Sequence, residues 1–363
     1  MRVAMYYRNS DVRLEEMPTP DIGPGEVLVK AIACGICGSD VMEWYRIKRA
    51  PLVLGHEMAG EIAAVGSGVT GWSPGDRVFA SHHIPCNTCH YCLSGHHTAC
   101  ETLHTTNYDP GGLAEYVRLP ALNVDRGLFR LPDDMDYDTA SLIEPVACVV
   151  RGLRALAAPP GSTYLILGSG ISGLLNIAAA RAFGAGRVFA TDIYAGRLDL
   201  AREFGATDAF GATDAFGATD AFGATDAFGA TDAFDASEDL PAKLRAANDG
   251  RLADCVIVST GAPQAAFQAL TCVAPGGTVL YFAVPTEDIA VPITDFWRND
   301  ITIRTTYGNS PADAMQAIDL LHAGYIPVDR MITHRLPLSE TQKGFQLVAE
   351  GQDSLKVIIH PQE

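Results

Sequence analysis

Cys86, Cys89, Cys92 and Cys100 follow one another within fifteen residues, in a loop that also carries Pro85 and Asn87. Four thiolates this close suit tetrahedral coordination of zinc. Because four sulfurs close the metal to solvent, such a site stabilises a lobe, here about residues 84–102, and does no chemistry. The short spacings overlap with those of iron–sulfur proteins, but the longer gap before Cys100 and the lack of a proline after it favour zinc. A second set is more dispersed: Gly35-Ile36-Cys37-Gly38-Ser39-Asp40, then Gly55-His56-Glu57, then Ile143-Glu144-Pro145. Singly, each is an ordinary structural segment. Together, Cys37, His56, Glu57 and Glu144 offer sulfur, nitrogen and carboxylate oxygen, the ligand mix of a catalytic zinc with an exchangeable position. Asp40 is suited to orient the His56 ring from behind.

The third constellation is Gly168-Ser169-Gly170-Ile171-Ser172-Gly173. Alone, this pattern says little. Here it follows the apolar stretch Tyr164–Leu167 and opens a helical stretch, and Asp192 closes the next apolar run. In that context the first glycine permits a tight turn, the second lets the backbone approach a pyrophosphate, and the third allows close helix–strand packing. The helix N-terminus at Ile171 and Ser172 then favours phosphate charge. Asp192 would bind the adenosine ribose hydroxyls and repel a 2′-phosphate, so NAD is expected over NADP. Arg197, a nearby cation, pulls the other way.

Positioning these groups takes two kinds of scaffold. Residues 1 to about 145 carry short apolar runs such as Glu26–Ala33 and Glu61–Val65 between turn signals, a β-rich texture. From Ser162 the texture alternates between strands and helices. Strands are expected at Tyr164–Leu167, Arg187–Asp192, Asp254–Ser259 and Thr278–Val284. Helices are expected at Ile171–Phe183, Ala195–Phe204 and Pro263–Val273, with a turn at Pro275-Gly276-Gly277. Alternation of this kind implies α/β architecture with a doubly wound parallel sheet. The tail from about Trp297 mixes strands with an amphipathic helix, Ala312–Ala323, and is expected to rejoin the first domain.

One segment is unusual. The hexapeptide FGATDA occurs five times in succession, from Phe204 to Ala233. A single copy makes a natural connection, with Phe204 ending a helix, Gly205 capping it and Asp-Ala-Phe starting a strand. The other four copies read as a tandem expansion in a surface loop, where added length costs little. A self-association role through repeated phenylalanines is the alternative. The chain of 363 residues, with 43 acidic side chains against 26 Lys and Arg, has a formal charge of −17, which disfavours nucleic acid and anionic membranes as partners. Neither a secretory signal nor a run of ~20 apolar residues is present, so a cytoplasmic location is expected and the nine cysteines read as ligands or buried thiols.

The order GICGSD, GHE, four-cysteine lobe, EP, GxGxxG, Asp resembles the zinc-containing medium-chain dehydrogenases, and within them the sorbitol (polyol) and threonine dehydrogenase branch. The resemblance spans nearly the whole chain outside the repeats. It implies a GroES-like β-barrel catalytic domain (residues 1–146 and 297–363) split by a Rossmann NAD-binding domain (147–296). It also implies one catalytic and one structural zinc, NAD, and a homodimer or homotetramer. Under this resemblance Cys37, His56 and Glu57 match the catalytic zinc ligands, and Glu144 the position that binds zinc directly or through water. Ser39 matches the hydroxyl that begins proton release, and Arg197 the basic residue at the ribose. One departure stands out: many relatives carry histidine where this chain has Met42, so proton release needs another route. The implied reaction moves a hydride from a secondary alcohol or polyol to NAD. A simple primary alcohol or aldehyde dehydrogenase uses the same parts, and a non-catalytic assembly protein on this scaffold is the reading from another class.

Overall fold

The computed structural model describes residues 1–211 and 239–363, so most of the FGATDA array lies outside the described residues. The strands, in chain order, are β1 Arg2–Arg8, β2 Asp11–Glu16, β3 Val27–Gly35, β4 Leu52–Val53, β5 Glu57–Val65, β6 Arg77–Ala80, β7 Tyr116–Leu119, β8 Leu128–Arg130, β9 Thr163–Leu167, β10 Arg187–Asp192, β11 Asp208–Gly211, β12 Ala253–Val258, β13 Val273–Tyr281, β14 Thr302–Thr305, β15 Ile332–Pro337 and β16 Lys356–His360. The chain forms two units, Met1–Cys148 with Gly308–Glu363, and Val149–Tyr307. Among the described residues no helix is long and apolar enough to cross a membrane.

The first unit is the GroES-like β-domain. A seven-stranded sheet runs β15-β16-β3-β5-β6-β8, with β7 also paired to β3, and a smaller sheet runs β2-β1-β4. Strand β3 alternates buried and half-buried residues along its first half, the period-two signature of a sheet with one face on a core. That core gathers Val27, Val29, Ile62, Val78, Leu113, Phe345, Val357 and Ile359. The helix Pro311–His322 belongs to this unit and begins with a full capping box, in which Ser310 and Asp313 satisfy each other's backbone amides.

The second unit is a six-stranded parallel sheet in the order β11-β10-β9-β12-β13-β14. Numbered from its first strand this is 3-2-1-4-5-6, the doubly wound dinucleotide-binding order, with its switch point between β9 and β12. All five residues of β9 are buried, as expected of a strand covered on both faces. The first FGATDA copy makes the connection expected of it. Phe204 is buried at the end of the helix Ala195–Glu203, Gly205 takes φ +108°, and Asp208-Ala209-Phe210 enters β11. Arg181 clasps this turn, donating to the Gly205 carbonyl (2.6 Å) and to Thr207 Oγ1 (2.6 Å).

Three expectations need correction. The return to the first unit comes at Gly308, not at residue 297. Trp297 lies on the helix Ile293–Asn299, whose Phe296 enters the core of the parallel sheet, and β14 then extends that sheet beside β13. The earlier crossing follows Cys148, not residue 146. The turn Pro275-Gly276-Gly277 does not separate a helix from a strand starting at Thr278. It is a bulge within β13, where the register with β12 jumps from Ala253↔Val273 to Cys255↔Thr278.

Candidate active site and metal centres

Antiparallel pairing builds the dispersed set. At one end of the seven-stranded sheet, Gly35 of β3 lies opposite Glu57 of β5, so the loop after β3 carries Cys37 alongside His56 and Glu57. Ligand atoms of Cys37, His56 and Glu57 fall within 4.8 Å of one another. Gly55 turns the chain into this position at φ +94°, and a Cβ there would meet Leu113 and the Cys34 sulfur at under 3 Å. Buried Asp40 organises the set: its Oδ1 is 3.4 Å from His56 Nδ1, and its Oδ2 accepts from the Cys37 amide (3.2 Å). Nδ1 facing a carboxylate leaves Nε2 for a metal. Burial lowers the basicity of His56, but the charges of Asp40 and Cys37 outweigh it and raise the imidazole well above its ordinary value.

Glu144, on the first turn of the helix Ile143–Leu156, lies outside that trio. Its Oε1 accepts from Asn309 Nδ2 (3.2 Å) and from the Cys148 thiol (3.3 Å). Burial raises its pKa above the usual carboxyl range, against the opposing pull of His56. Ser39 is held by Arg46, which donates to its Oγ (3.0 Å) and its carbonyl (3.0 Å) and continues to Asp40 Oδ1 (3.1 Å). Flanking His56 are two further imidazoles, with ring centroids 4.9 Å apart for His56 and His82 and 3.9 Å for His82 and His83. Burial pushes His83 down to about 4 and His82 well below its ordinary value.

In the lobe, ligand atoms of Cys86, Cys89, Cys92 and Cys100 also cluster within 4.8 Å. Tetrahedral zinc with thiolate bonds near 2.3 Å sets sulfurs about 3.8 Å apart. The Cys89–Cys92 and Cys86–Cys92 separations are 3.6 and 4.0 Å. Backbone amides already point at these sulfurs, Cys89 N at Cys86 (3.2 Å) and Cys86 N at Cys100 (3.3 Å). Hydrogen bonds from Thr88 and from the Cys89 amide hold the Cys86 thiol well below its ordinary range, while burial pushes Cys92 up. Four sulfurs at these separations form the donor set that a tetrahedral dication would complete.

In the second unit, the loop between β9 and the helix Ile171–Ala182 carries all three motif glycines. Gly168 sits at φ +90°, and a Cβ on Gly173 would lie 1.9 Å from the Gly168 carbonyl oxygen. Gly170 is the N-cap, and Ile171, Ser172 and Gly173 form the first helical turn, where amides have no partner within the helix. Asp192 ends β10 with its carboxylate accepting the Ser169 amide (2.8 Å) and the Tyr194 amide (2.9 Å), and Arg197 Nη1 stands 3.9 Å away.

Comparison with known proteins agrees with this arrangement. Residues 23–133 match the alcohol dehydrogenase GroES-like domain, and residues 222–323 match the zinc-binding dehydrogenase family. The chain is 33% identical to an L-threonine 3-dehydrogenase of Bacillus licheniformis, over 95% of this chain and 94% of that protein. It belongs to the zinc-containing medium-chain dehydrogenases. Within them it falls in the sorbitol and threonine dehydrogenase branch. It is 29% identical to the sorbitol dehydrogenase of Bacillus subtilis, over 99% of this chain and 97% of that one. Its fold superposes on galactitol-1-phosphate dehydrogenase of Escherichia coli with a TM-score of 0.83 at 26% identity, covering 99% of this chain and 100% of that one.

Four residues of this dehydrogenase's site carry no signal in a local motif. Lys356 opens β16, which pairs with β3 through Ile358↔Gly35, and its ammonium reaches the Glu57 carboxylate and the Ile36 carbonyl (3.2 Å). Arg46 follows Ser39 by two helical turns' worth of chain, and Asn309 and Cys148 meet Glu144 from separate segments. Only Lys356 leaves a trace in the sequence, as a charge heading the apolar run Val357–Ile359.

Proposed function

We propose that this dehydrogenase oxidises a secondary alcohol or polyol to the ketone with NAD as hydride acceptor. Cys37, His56 and Glu57 hold one catalytic zinc with Glu144 beside them, and the four lobe cysteines hold a structural zinc. The observation that carries this reading is the convergence of the Cys37, His56 and Glu57 ligand atoms next to a serine hydroxyl that Arg46 fixes in place. A zinc ion held there supplies the Lewis acidity that lets a substrate hydroxyl lose its proton near neutrality. A nicotinamide dinucleotide held at Gly168–Gly173 supplies the hydride acceptor.

The chain's own residues do the rest. Ser39 Oγ accepts from Arg46, so its own O–H is free to relay: it takes the substrate proton while passing its own on along the cofactor ribose to solvent. Arg46 does not relay that proton, because a guanidinium stays charged; it orients Ser39 in a site where Met42 replaces the histidine of many relatives. Asp40 fixes the His56 tautomer, Lys356 offsets the Glu57 charge, and Asn309 orients Glu144. NAD is favoured over NADP because Asp192 carries its charge at the end of β10, where a 2′-phosphate would be repelled, although Arg197 lies near. Sorbitol and galactitol-1-phosphate as the named substrates of relatives support a polyol. A cytoplasmic, homo-oligomeric enzyme is part of the same proposal.

The test is NADH formation across polyols, secondary and primary alcohols and threonine, repeated after chelation. Chelator-sensitive turnover of a secondary alcohol or polyol is expected. Turnover confined to primary alcohols selects the simple alcohol dehydrogenase, and silence across the panel with zinc bound leaves the non-catalytic scaffold.

A further inference from the structure

Glu57 has two carboxylate oxygens, and one of them is already taken. Lys356 Nζ donates to Glu57 Oε2 and to the Ile36 carbonyl (3.2 Å), and the two side chains are only 2% and 1% exposed. The same Oε2 lies against the backbone of β3, where a Cβ on Gly35 would stand 2.0 Å from it and 3.2 Å from Lys356 Cε. Oε2 is thus wedged between a glycine and an ammonium. Among the described residues Oε1 accepts no hydrogen bond, and the Cys37 and His56 ligand atoms lie within 4.8 Å of the Glu57 ligand oxygen.

How that carboxylate binds decides whether the metal site is open. With one donor atom each, Cys37, His56 and Glu57 supply three protein ligands and leave a position for substrate. A Glu57 that chelated through both oxygens would supply a fourth donor and close the site, as four sulfurs close the lobe. Chelation needs Oε2, and there a dication would meet the Lys356 ammonium with only the shared oxygen between them. Like charges so close, in an interior shielded from water, repel strongly. The ammonium is also held where it is. The negative charges of Glu57, Cys37 and Glu144 bear on it, and the Ile36 carbonyl fixes it to the loop that carries Cys37.

Resting on the zinc assignment of the proposed function, we propose that Lys356 is a positioning residue that confines Glu57 to coordination through Oε1 alone and so keeps one metal position open for substrate.

The probe is cobalt(II) at Cys37, His56 and Glu57, with zinc kept in the lobe; its visible bands weaken as coordination number rises. In Lys356→Met the carboxylate gains its second oxygen. The bands should then weaken relative to wild type, azide should bind the metal about tenfold or more less tightly, and a chelator should remove it more slowly. Lys356→Arg, which returns a positive charge to the same place, should restore azide binding. Wild-type bands and azide affinity in Lys356→Met, or the behaviour of Lys356→Met in Lys356→Arg, overturn the proposal. A second measurement needs no variant: X-ray absorption at the cobalt edge of the wild type distinguishes one Glu57 oxygen from two, and two overturn the proposal even if Lys356→Met does not fold. Cobalt and azide are read without turnover, so silence on every alcohol refutes the proposed reaction alone. Failure of cobalt to bind at these three residues refutes the zinc assignment, and the role of Lys356 with it.

Discussion

Lys356 carries its charge to a place where 2% of its side chain meets solvent, and its partner Glu57 is equally buried. Removing one member of such a pair leaves the other charge uncompensated in the interior. Lys356→Met is therefore expected to destabilise the zinc-free protein by about 3–5 kcal/mol in urea unfolding, and Lys356→Met with Glu57→Gln to recover much of the loss. A single-variant loss under about 1 kcal/mol would show that the charges are solvated in some other way. His56 gives a pH prediction. Its proton, held well above the ordinary histidine range by Asp40 and Cys37, must leave before a metal binds Nε2. Zinc affinity should rise with pH below that raised value, by about tenfold per unit for each ligand proton released, of which His56 contributes one and the Cys37 thiol another. Competition against a colorimetric chelator at several pH values measures the slope, and a flat profile would remove His56 from the ligand set. Cys37→Ala and His56→Ala are each expected to abolish turnover while NADH fluorescence still reports cofactor binding. Near-normal rates in either would refute the catalytic zinc assignment.

At the scale of elements, the site depends on register. Strand β3 pairs with β5 on one side and β16 on another, so one strand end gathers Cys37, Glu57 and Lys356 from three distant stretches of chain. A slip of one residue would turn each side chain to the opposite face. Glycine fixes the close approaches: a Cβ on Gly35 would fall 2.0 Å from the Glu57 carboxylate, so this pair exists only beside a glycine. The same argument applies to the cofactor loop. Gly173→Ala places its methyl against the Gly168 carbonyl and should abolish NADH binding while leaving two zinc ions per chain by metal analysis. Retained binding would mean that the loop relaxes without cost. Much of this was legible locally. The glycine motif, the strand before it and the Asp after it are contiguous signals, whereas Pro275-Gly276-Gly277 reads as a turn between helix and strand and is a bulge within β13, because a turn and a bulge use the same residues.

For the whole molecule, assembly is tested at two places, the FGATDA array and the edge of the parallel sheet. One copy is built into the fold through Arg181 and β11. Because the units are identical, deleting four of them leaves Asp208-Ala209-Phe210 in place. Such a deletion is expected to change neither kcat/KM nor the sedimentation coefficient beyond the lost mass, since loop length enters stability only logarithmically. An unchanged rate with a lost oligomer would instead assign the array an assembly role. The edge strand β14 is exposed along its length, and Trp297 before it is 79% exposed. Unpaired edges beside large apolar side chains are sites of self-association; under the proposed homo-oligomer, Trp297→Glu is expected to shift the protein toward monomer in sedimentation, and an unchanged sedimentation coefficient would move the interface off this edge.

The sequence by itself determined what depends on neighbours in the chain: the four-cysteine lobe, the glycine turn with its strand and helix, and the alternation that makes a parallel sheet. Ligand types and turn residues act within a few positions, so their spacing is already chemistry. Motif order and family resemblance put Cys37, His56, Glu57 and Glu144 in one set, of which the structure brings the ligand atoms of the first three together and leaves Glu144 beside them. Only the tertiary structure decided that Glu57 faces a buried lysine 299 residues away, that Arg46 holds Ser39, and that Asn309 and Cys148 hold Glu144. These are meetings between strands and loops distant in sequence. They follow from β-sheet register and burial, which are properties of the folded chain and leave no periodicity to read.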